Sequence, residues 1–376
     1  MSLPPSMARS SLARRLFCLV ASAAAVSAAL HAPAALAQAK PLKKVTIAVG
    51  SQVLNVTYPW LMMPIALGYW KDEGYDVNVV GVSGSAQGLQ QLASGGIEFA
   101  QLNSTGLIQA NTENNLPVRG IMGNGVIDWG LAVTDGSPLK DVKELKGKKI
   151  GIVSLATGGY PLLKGMLRSN GLNPDTDVQI IAVGAGAPAL DALKNDRVQA
   201  LMFWQSALTG FENAGTKLRV FRSPQWRSFP DFTLGTLQKT IDTDPVMVEA
   251  IARGAAKATL FAQTNPECVR KIHWKNFPST KPTGADDATL IKWDSALLAS
   301  QLETLSDAHK MNGGKLIGAM DVAAYGRFQD FMFDEKLITK KLPPQTFVIS
   351  KPGFIEAINR FDQAAVIAAA KSCKDL

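Results

Sequence analysis

Cysteine and histidine are scarce in this 376-residue chain, at three residues each. Cys18 falls in the N-terminal leader described below, so Cys268 and Cys373 are the two that remain after export. In an oxidising compartment they either form one bridge that ties the C-terminus down or stay as separate thiols. His273 and His309 have no Cys or His partner at metal-ligand spacing, which argues against zinc. Lysine and arginine are spread out, in short clusters such as Lys146, Lys148 and Lys149, and no basic block is interleaved with aromatics. Nucleic acid is therefore not an expected partner. Sets of Ser, His and Asp, a phosphate-binding loop and a Gly-rich cofactor fingerprint are also missing; Val183–Pro188 (VGAGAP) is only a Gly/Ala turn.

Long apolar runs are equally few. The run Leu16 to Leu30 follows Arg9, Arg14 and Arg15 and precedes a small-x-small site at Ala35-Leu36-Ala37 or Ala37-Gln38-Ala39. That is the pattern of a cleavable secretory signal over residues 1–39. The run is shorter than the roughly 20 residues that span a bilayer. Cys18 follows bulky Phe17, which disfavours a lipid anchor. No later segment is long enough to cross a membrane, so the expected product is exported, with 36 basic and 31 acidic residues.

What the sequence does contain is a repeated plan of strand, small polar turn and helix. Its centre is VNVVGVSGSAQGLQQLASGGIEFAQLNSTG, residues 77–106. Val77 to Val82 is apolar and rich in β-branched side chains, as a buried strand is. Ser83-Gly84-Ser85 ends it. Ala86, Leu89, Leu92 and Ala93 then share one helix face, closed by Gly95-Gly96. Ile97 to Leu102 is the next strand, and Asn103-Ser104-Thr105 supply the next helix N-cap. Successive units of this kind build a parallel sheet, whose ligands lie beyond the carboxyl ends of the strands.

A first strand at Val45 to Val49 and then a helix with Leu61 and Ile65 precede this region. Further strands are expected at Pro117 to Met122 and at Leu131 to Thr134, separated by Gly123-Asn124-Gly125 and Asp128-Trp129. The same plan restarts after Asp135-Gly136-Ser137-Pro138, with strands at Ile150 to Ser154, Val178 to Val183 and Val198 to Phe203. Arg222 to Pro230 has the composition of a return crossing, and Asp231 to Leu237 reads as a strand belonging with the first unit. Only helical patterns come after it: Pro245 to Gln263, and about 288–305, 321–334 and 353–371. The fold class is thus α/β. Two lobes, 40–134 with 229–376 and 135–228, are joined by two crossings with a ligand cleft between them and C-terminal helices added.

With these segments in view, the chain resembles the periplasmic substrate-binding proteins of nitrate/sulfonate/taurine-type ABC transporters. That group has a type II periplasmic binding-protein fold shared with pyrimidine-precursor binders. The likeness rests on KVTIAVG (44–50), IALGYWKDEGYDVNVV (65–80), GLQQLASGGIEFA (88–100), LKDVKELKGKKIGIVS (139–154) and ALDALKNDRVQALMFWQ (189–205). It implies a cleft formed by Ser51 and Gln52, Ser83, Gly84 and Ser85, Asn103 and Ser104, Ala156, Thr157 and Gly158, and Trp204. It further implies a periplasmic, monomeric receptor without cofactor that passes a small molecule to a membrane permease.

The cleft loops carry few charges, and Val53, Leu54, Trp60, Leu155 and Trp204 suit an organic body, so a sulfonate, carboxylate or heteroaromatic compound is expected rather than nitrate or bicarbonate. Trp60, Trp129 and Trp226 are either stacking residues or core, with core the usual fate. Asp128 is a solvated acid or a partner for a ligand ammonium, and Arg222 and Arg227 are candidate counter-charges to an acid. The competing reading is an enzyme on the same fold, acting on a sulfur or pyrimidine compound. The cysteines of such relatives have no counterpart here, since Cys268 and Cys373 lie in the C-terminal helical part.

Overall fold

A computed structural model describes residues 41–374; the expected leader, 1–39, lies outside them. The chain begins with β1 (Lys43–Val49), α1 (Pro59–Ala66), α2 (Tyr69–Asp72), β2 (Tyr75–Gly81), α3 (Ser85–Ser94), β3 (Phe99–Leu102), α4 (Ser104–Thr112) and β4 (Val118–Val126). Strand β1 pairs in parallel with β2, from Lys43 opposite Tyr75 to Val49 opposite Gly81, and with β3 on its other side. Val45, Ile47, Ala48 and Val49 are all buried, as expected for a strand covered on both faces. Strand β4 does not stop at Gly123-Asn124-Gly125, where the sequence suggested an interruption. The glycines leave room there for other segments to pack closely against the strand. A Cβ on Gly123 would lie 3.1 Å from the Ala319 carbonyl oxygen, and one on Gly125 3.0 Å from Thr304 Oγ1.

The chain then forms β5 (Gly130–Thr134), β6 (Lys149–Ile152), α5 (Gly159–Ser169), β7 (Gln179–Ala182), α6 (Ala187–Lys194), β8 (Ala200–Phe203), α7 (Gln205–Asn213) and β9 (Leu218–Phe221). Strand order is β7-β6-β8-β5-β9. Residues 130–134 thus pair in the second sheet, although the sequence placed them in the first lobe. The sheets part at residues 127–129. Strand β5 is held there by antiparallel partners on both sides, β8 and the four-residue β9, which is too short to stand out in the sequence.

A single 3₁₀ turn, Pro224–Ser228, leads back to β10 (Pro230–Leu237), which lies antiparallel between β3 and β4 and gives the first sheet the order β2-β1-β3-β10-β4. Helices α8 (Gln238–Thr243), α9 (Pro245–Thr264), α10 (Pro266–Asn276), α11 (Asp287–Met311), α12 (Val322–Asp334), α13 (Phe354–Ile358) and α14 (Gln363–Ser372) complete the chain. Asp244 caps α9 by accepting from the Met247 N–H at 3.0 Å, and Val248, Ile251 and Ala255 are buried on one face as their spacing predicts. Gly254 lets the indole of Trp70 lie against that helix, and Trp70 Nε1 donates to the Ile251 carbonyl at 3.0 Å. The helix expected over 353–371 is broken at Asn359. Its amide side chain exchanges two hydrogen bonds with the Ile317 backbone, and Asp362 then caps α14. Cys268 and Cys373 are bridged, which joins α14 to α10 and decides between the two alternatives left by the sequence.

The C-terminal helices also bind the lobes together. Phe331 of α12 lies against Gly165 of α5, and the Glu335 carbonyl accepts from Arg168 at 2.6 Å. The Trp293 carbonyl of α11 accepts from Asn213 of α7 at 3.2 Å. Among the described residues no helix is long and apolar enough to cross a membrane.

Candidate functional site

The loops after β1, β2 and β3 meet those after β6, β7 and β8, and in this structure the two lobes touch. Ala86 N donates to the Ala156 carbonyl at 3.2 Å, and Thr105 Oγ1 to the Gly158 carbonyl at 3.0 Å. The segments approach at backbone distance, which explains the glycines. A Cβ on Gly84 would lie 2.4 Å from the Ala156 oxygen, one on Gly158 2.2 Å from Asn103 Cβ, and one on Gly159 2.1 Å from the Trp129 ring. Gly84, Ser85, Ala156, Thr157 and Gly158 therefore come together as the sequence suggested, and they do so on each other. Ser85 is 2 % exposed and its hydroxyl accepts from the Asn103 N–H at 2.9 Å.

This contact separates two hollows. On one side a groove of about 560 Å³ runs between α3, α4 and α5 and includes Ser85, Ala156, Thr157, Gly158, Tyr160, Lys164 and Arg168. On the other is a smaller, more apolar cavity of about 270 Å³. The β1–α1 loop supplies Ser51, Asn55, Thr57 and Tyr58 to it; the start of α6 supplies Ala185, Gly186 and Ala187; β8 and α7 supply Phe203, Trp204, Ser206 and Phe211; and α11 supplies Leu297. Trp204 lies where its strand end predicts, with its ring 5.5 Å from that of Trp129. The wall contains no Lys or Arg, and Asp191 is its one charged residue. Its polar groups are hydroxyls and amides, and the N-terminal turns of α6 and α7 border it. Tyr58 is buried beside Asp128, and burial pushes its phenol up to about 12, so it is a neutral donor here.

Gln52, Ser83, Asn103 and Ser104 line neither hollow. Ser83 is exposed, and its N–H and hydroxyl both donate to the Gln87 side chain. The donors of Asn103 and Ser104 are taken by an acid of the chain itself. Asp231, 1 % exposed at the start of β10, accepts from Asn103 Nδ2 at 3.1 and 3.0 Å, from Ser104 N at 3.0 Å and from Trp129 Nε1 at 3.2 Å. Its carboxylate occupies the N-terminus of α4, the place a bound anion was expected to take. Burial pushes it up to about 6, against the pull of those donors. Nothing local in the sequence signals this pairing, because Asp231 lies 128 residues beyond Asn103.

Asp128, on the outgoing crossing, is 2 % exposed; no side chain hydrogen-bonds to its oxygens, and the donor that approaches it is the Gln205 backbone N–H at the start of α7. Burial, with the charge of Asp231 adding to it, pushes this carboxyl up to about 7; Arg227, Arg222 and the Gln205 amide pull the other way. It is therefore not the solvated acid that was the ordinary expectation. Arg222 donates to the Gln205 side chain, and Arg227 pairs with Glu303 and Asp307. Trp60 and Trp226 are core residues, Trp60 donating to Gln101 at 2.9 Å. Among the described residues no three His, Cys, Asp or Glu side chains gather as a metal site would need.

Known proteins place this geometry in context. A structure from Bordetella bronchiseptica RB50 superposes with a TM-score of 0.66 at 20% identity, covering 84% of this chain and 96% of that one. The zinc-bound ligand-binding component of an ABC-type import system from Staphylococcus aureus gives 0.60 at 12% identity, with 85% and 100% covered. The periplasmic aliphatic sulphonate binding protein SsuA from Escherichia coli gives 0.53 at 16% identity, with 82% and 92% covered. These likenesses establish the type II periplasmic binding-protein fold, and at such identities only the fold. A comparison with curated proteins gives no match. The NMT1/THI5-like family model matches residues 60–268, more than half of the chain, and the chain belongs to that family.

Proposed function

We propose that this protein is an exported solute receptor. It captures a small organic anion between its lobes and delivers it to the permease of an ABC importer. The observation that carries this reading is the cavity of about 270 Å³ built jointly by the loop after β1 and by β8 and α7, and walled by Tyr58, Phe203 and Trp204. Its aromatic wall suits an organic body, and its hydroxyls and helix-start N–H groups suit an acidic head. Ser51 and Trp204 are the expected contact residues that line it; Asn55, Thr57 and Ser206 join them. Gly84, Ser85 and Ala156 to Gly158 act instead as the closing contact. In this reading residues 1–39 direct export to the periplasm, the protein works as a monomer, and residues 127–129 and 222–229 are the hinges between its lobes. The cavity wall carries no cysteine or histidine, and nothing in it favours catalysis over binding.

The test is thermal unfolding of protein refolded from denaturant, against aliphatic and aromatic sulfonates, carboxylates and heteroaromatic compounds. A ligand at a hundred times its Kd adds about 2.7 kcal/mol, a rise of several degrees. Trp204→Ala should abolish the rise. A panel without a hit, or a hit that Trp204→Ala leaves unchanged, would rule out this assignment of the cavity.

A further inference from the structure

Asp128 is the anomaly of the cleft. It lies between Ile127 and Trp129 on the outgoing crossing, enclosed, with no side-chain hydrogen bond to either oxygen. The titratable and charged groups around it come from five segments. Tyr58 faces it from the first lobe, Asp231 from β10, Arg222 from the end of β9, and Arg227 from the return turn, while the Gln205 amide approaches from the start of α7 in the second lobe. Arg227 is committed to Glu303 and Asp307, and Arg222 to the Gln205 side chain. Neither arginine forms an ion pair with Asp128. Asp231 has its own donors and offers none. A carboxyl so buried, with the Gln205 N–H as its donor, favours the protonated form more than an exposed one does. Its enclosing groups belong to opposite lobes, Tyr58 to one and Gln205 to the other, and Trp129 beside it packs onto Gly159. Parting the lobes would admit water to Asp128 and favour the carboxylate.

We infer that closure of the two lobes takes up a proton at Asp128, so that capture of a solute in the cleft is coupled to protonation of the hinge. This rests on the receptor reading above and adds its regulation. It also accounts for an acid beside a cavity meant for an anion, since the neutral acid does not repel one. Burial and the Asp231 charge push Asp128 up to about 7 with the lobes together, from an ordinary value of 3.8. A carboxyl raised in the closed form favours that form fully below 3.8, and the advantage is lost as pH rises to about 7. The closing equilibrium should fall by at most about tenfold per pH unit, at most about a thousandfold across the window, and level off above it.

Small-angle X-ray scattering of the solute-free protein from about pH 4 to about pH 9 tests this. The radius of gyration of the wild type should increase up to about pH 7 and then hold, while Asp128→Asn should stay compact throughout. A wild type of constant size, or an Asp128→Asn variant that follows the wild-type profile, overturns the inference. Infrared difference spectra, wild type minus Asp128→Asn, isolate this group from Asp231, which is also raised. A protonated-carboxyl band in the difference at about pH 5 should be gone by about pH 9, and its absence at pH 5 is equally fatal. No solute enters either measurement, so failure of the solute panel overturns the receptor reading and a flat scattering profile overturns the proton coupling, each independently of the other.

Discussion

Replacing Asp231 by alanine tests the interior of the cleft most directly. The carboxylate accepts from Asn103 Nδ2, Ser104 N and Trp129 Nε1, and truncation leaves all three donors without their partner. Each orphaned buried group costs about 1–3 kcal/mol. Water entering the vacated space recovers part of that, so a loss of about 3–5 kcal/mol is expected in acid, where the wild-type group is neutral. At higher pH the wild type carries a cost that the variant lacks. Asp231 is 1 % exposed and is raised from 3.8 to about 6, which at 1.36 kcal/mol per pH unit is about 3 kcal/mol. An acid raised in the folded state contributes stability below its unfolded value and loses it as pH rises through the folded one. The wild type therefore weakens from about pH 4 to about pH 6 on this account, and Asp231→Ala does not. Removing the charge also eases ionisation of Asp128, with the same sign. Urea unfolding at about pH 4 and pH 8 should show the variant's deficit shrinking by about 3 kcal/mol. A deficit that is constant or grows with pH would mean that the three donors outweigh burial, and would refute the dominance of burial at this site.

Two further perturbations address the frame around the cleft. Gly158 has ordinary helical backbone angles, φ −64° and ψ −19°, so alanine there strains nothing locally, yet its Cβ would lie 2.2 Å from Asn103 Cβ across the cleft. Gly158→Ala should keep both lobes folded, increase the radius of gyration, and weaken capture of any solute found in the panel by roughly 5–150-fold, the equivalent of ~1–3 kcal/mol of overpacking. An unchanged affinity would show that this contact is not part of the capturing state. Cys268 and Cys373 are separated by 105 residues, and in the chain-entropy account a bridge over such a loop contributes about 4.7 kcal/mol. Reduction, or Cys373→Ser, should lower Tm by several degrees in a thermal scan. A Tm that does not move would place the C-terminal helix outside the cooperative unit.

The sequence by itself determined the units. β-branched runs, glycine stops and amphipathic spacing locate β2, α3, β3 and α4 within a few residues, because each signal lies within one turn or one strand of what it marks. Asp244, three residues before the N–H it accepts from, is legible for the same reason. Trp204 could be placed because the end of a strand fixes where the next residue points. Only the tertiary structure decided what depends on distant segments. β5 joins the second sheet because β8 and β9 supply its partners, and β4 continues through three small polar residues because β10 and the C-terminal segments cover them. The small turns expected to hold a solute press on each other instead, which local composition cannot distinguish, since close backbone approach calls for glycine in either case. The donors of Asn103 and Ser104 are taken by Asp231 because β10 returns to the first sheet beside β3, and Asp128 is buried by segments far from it in the sequence.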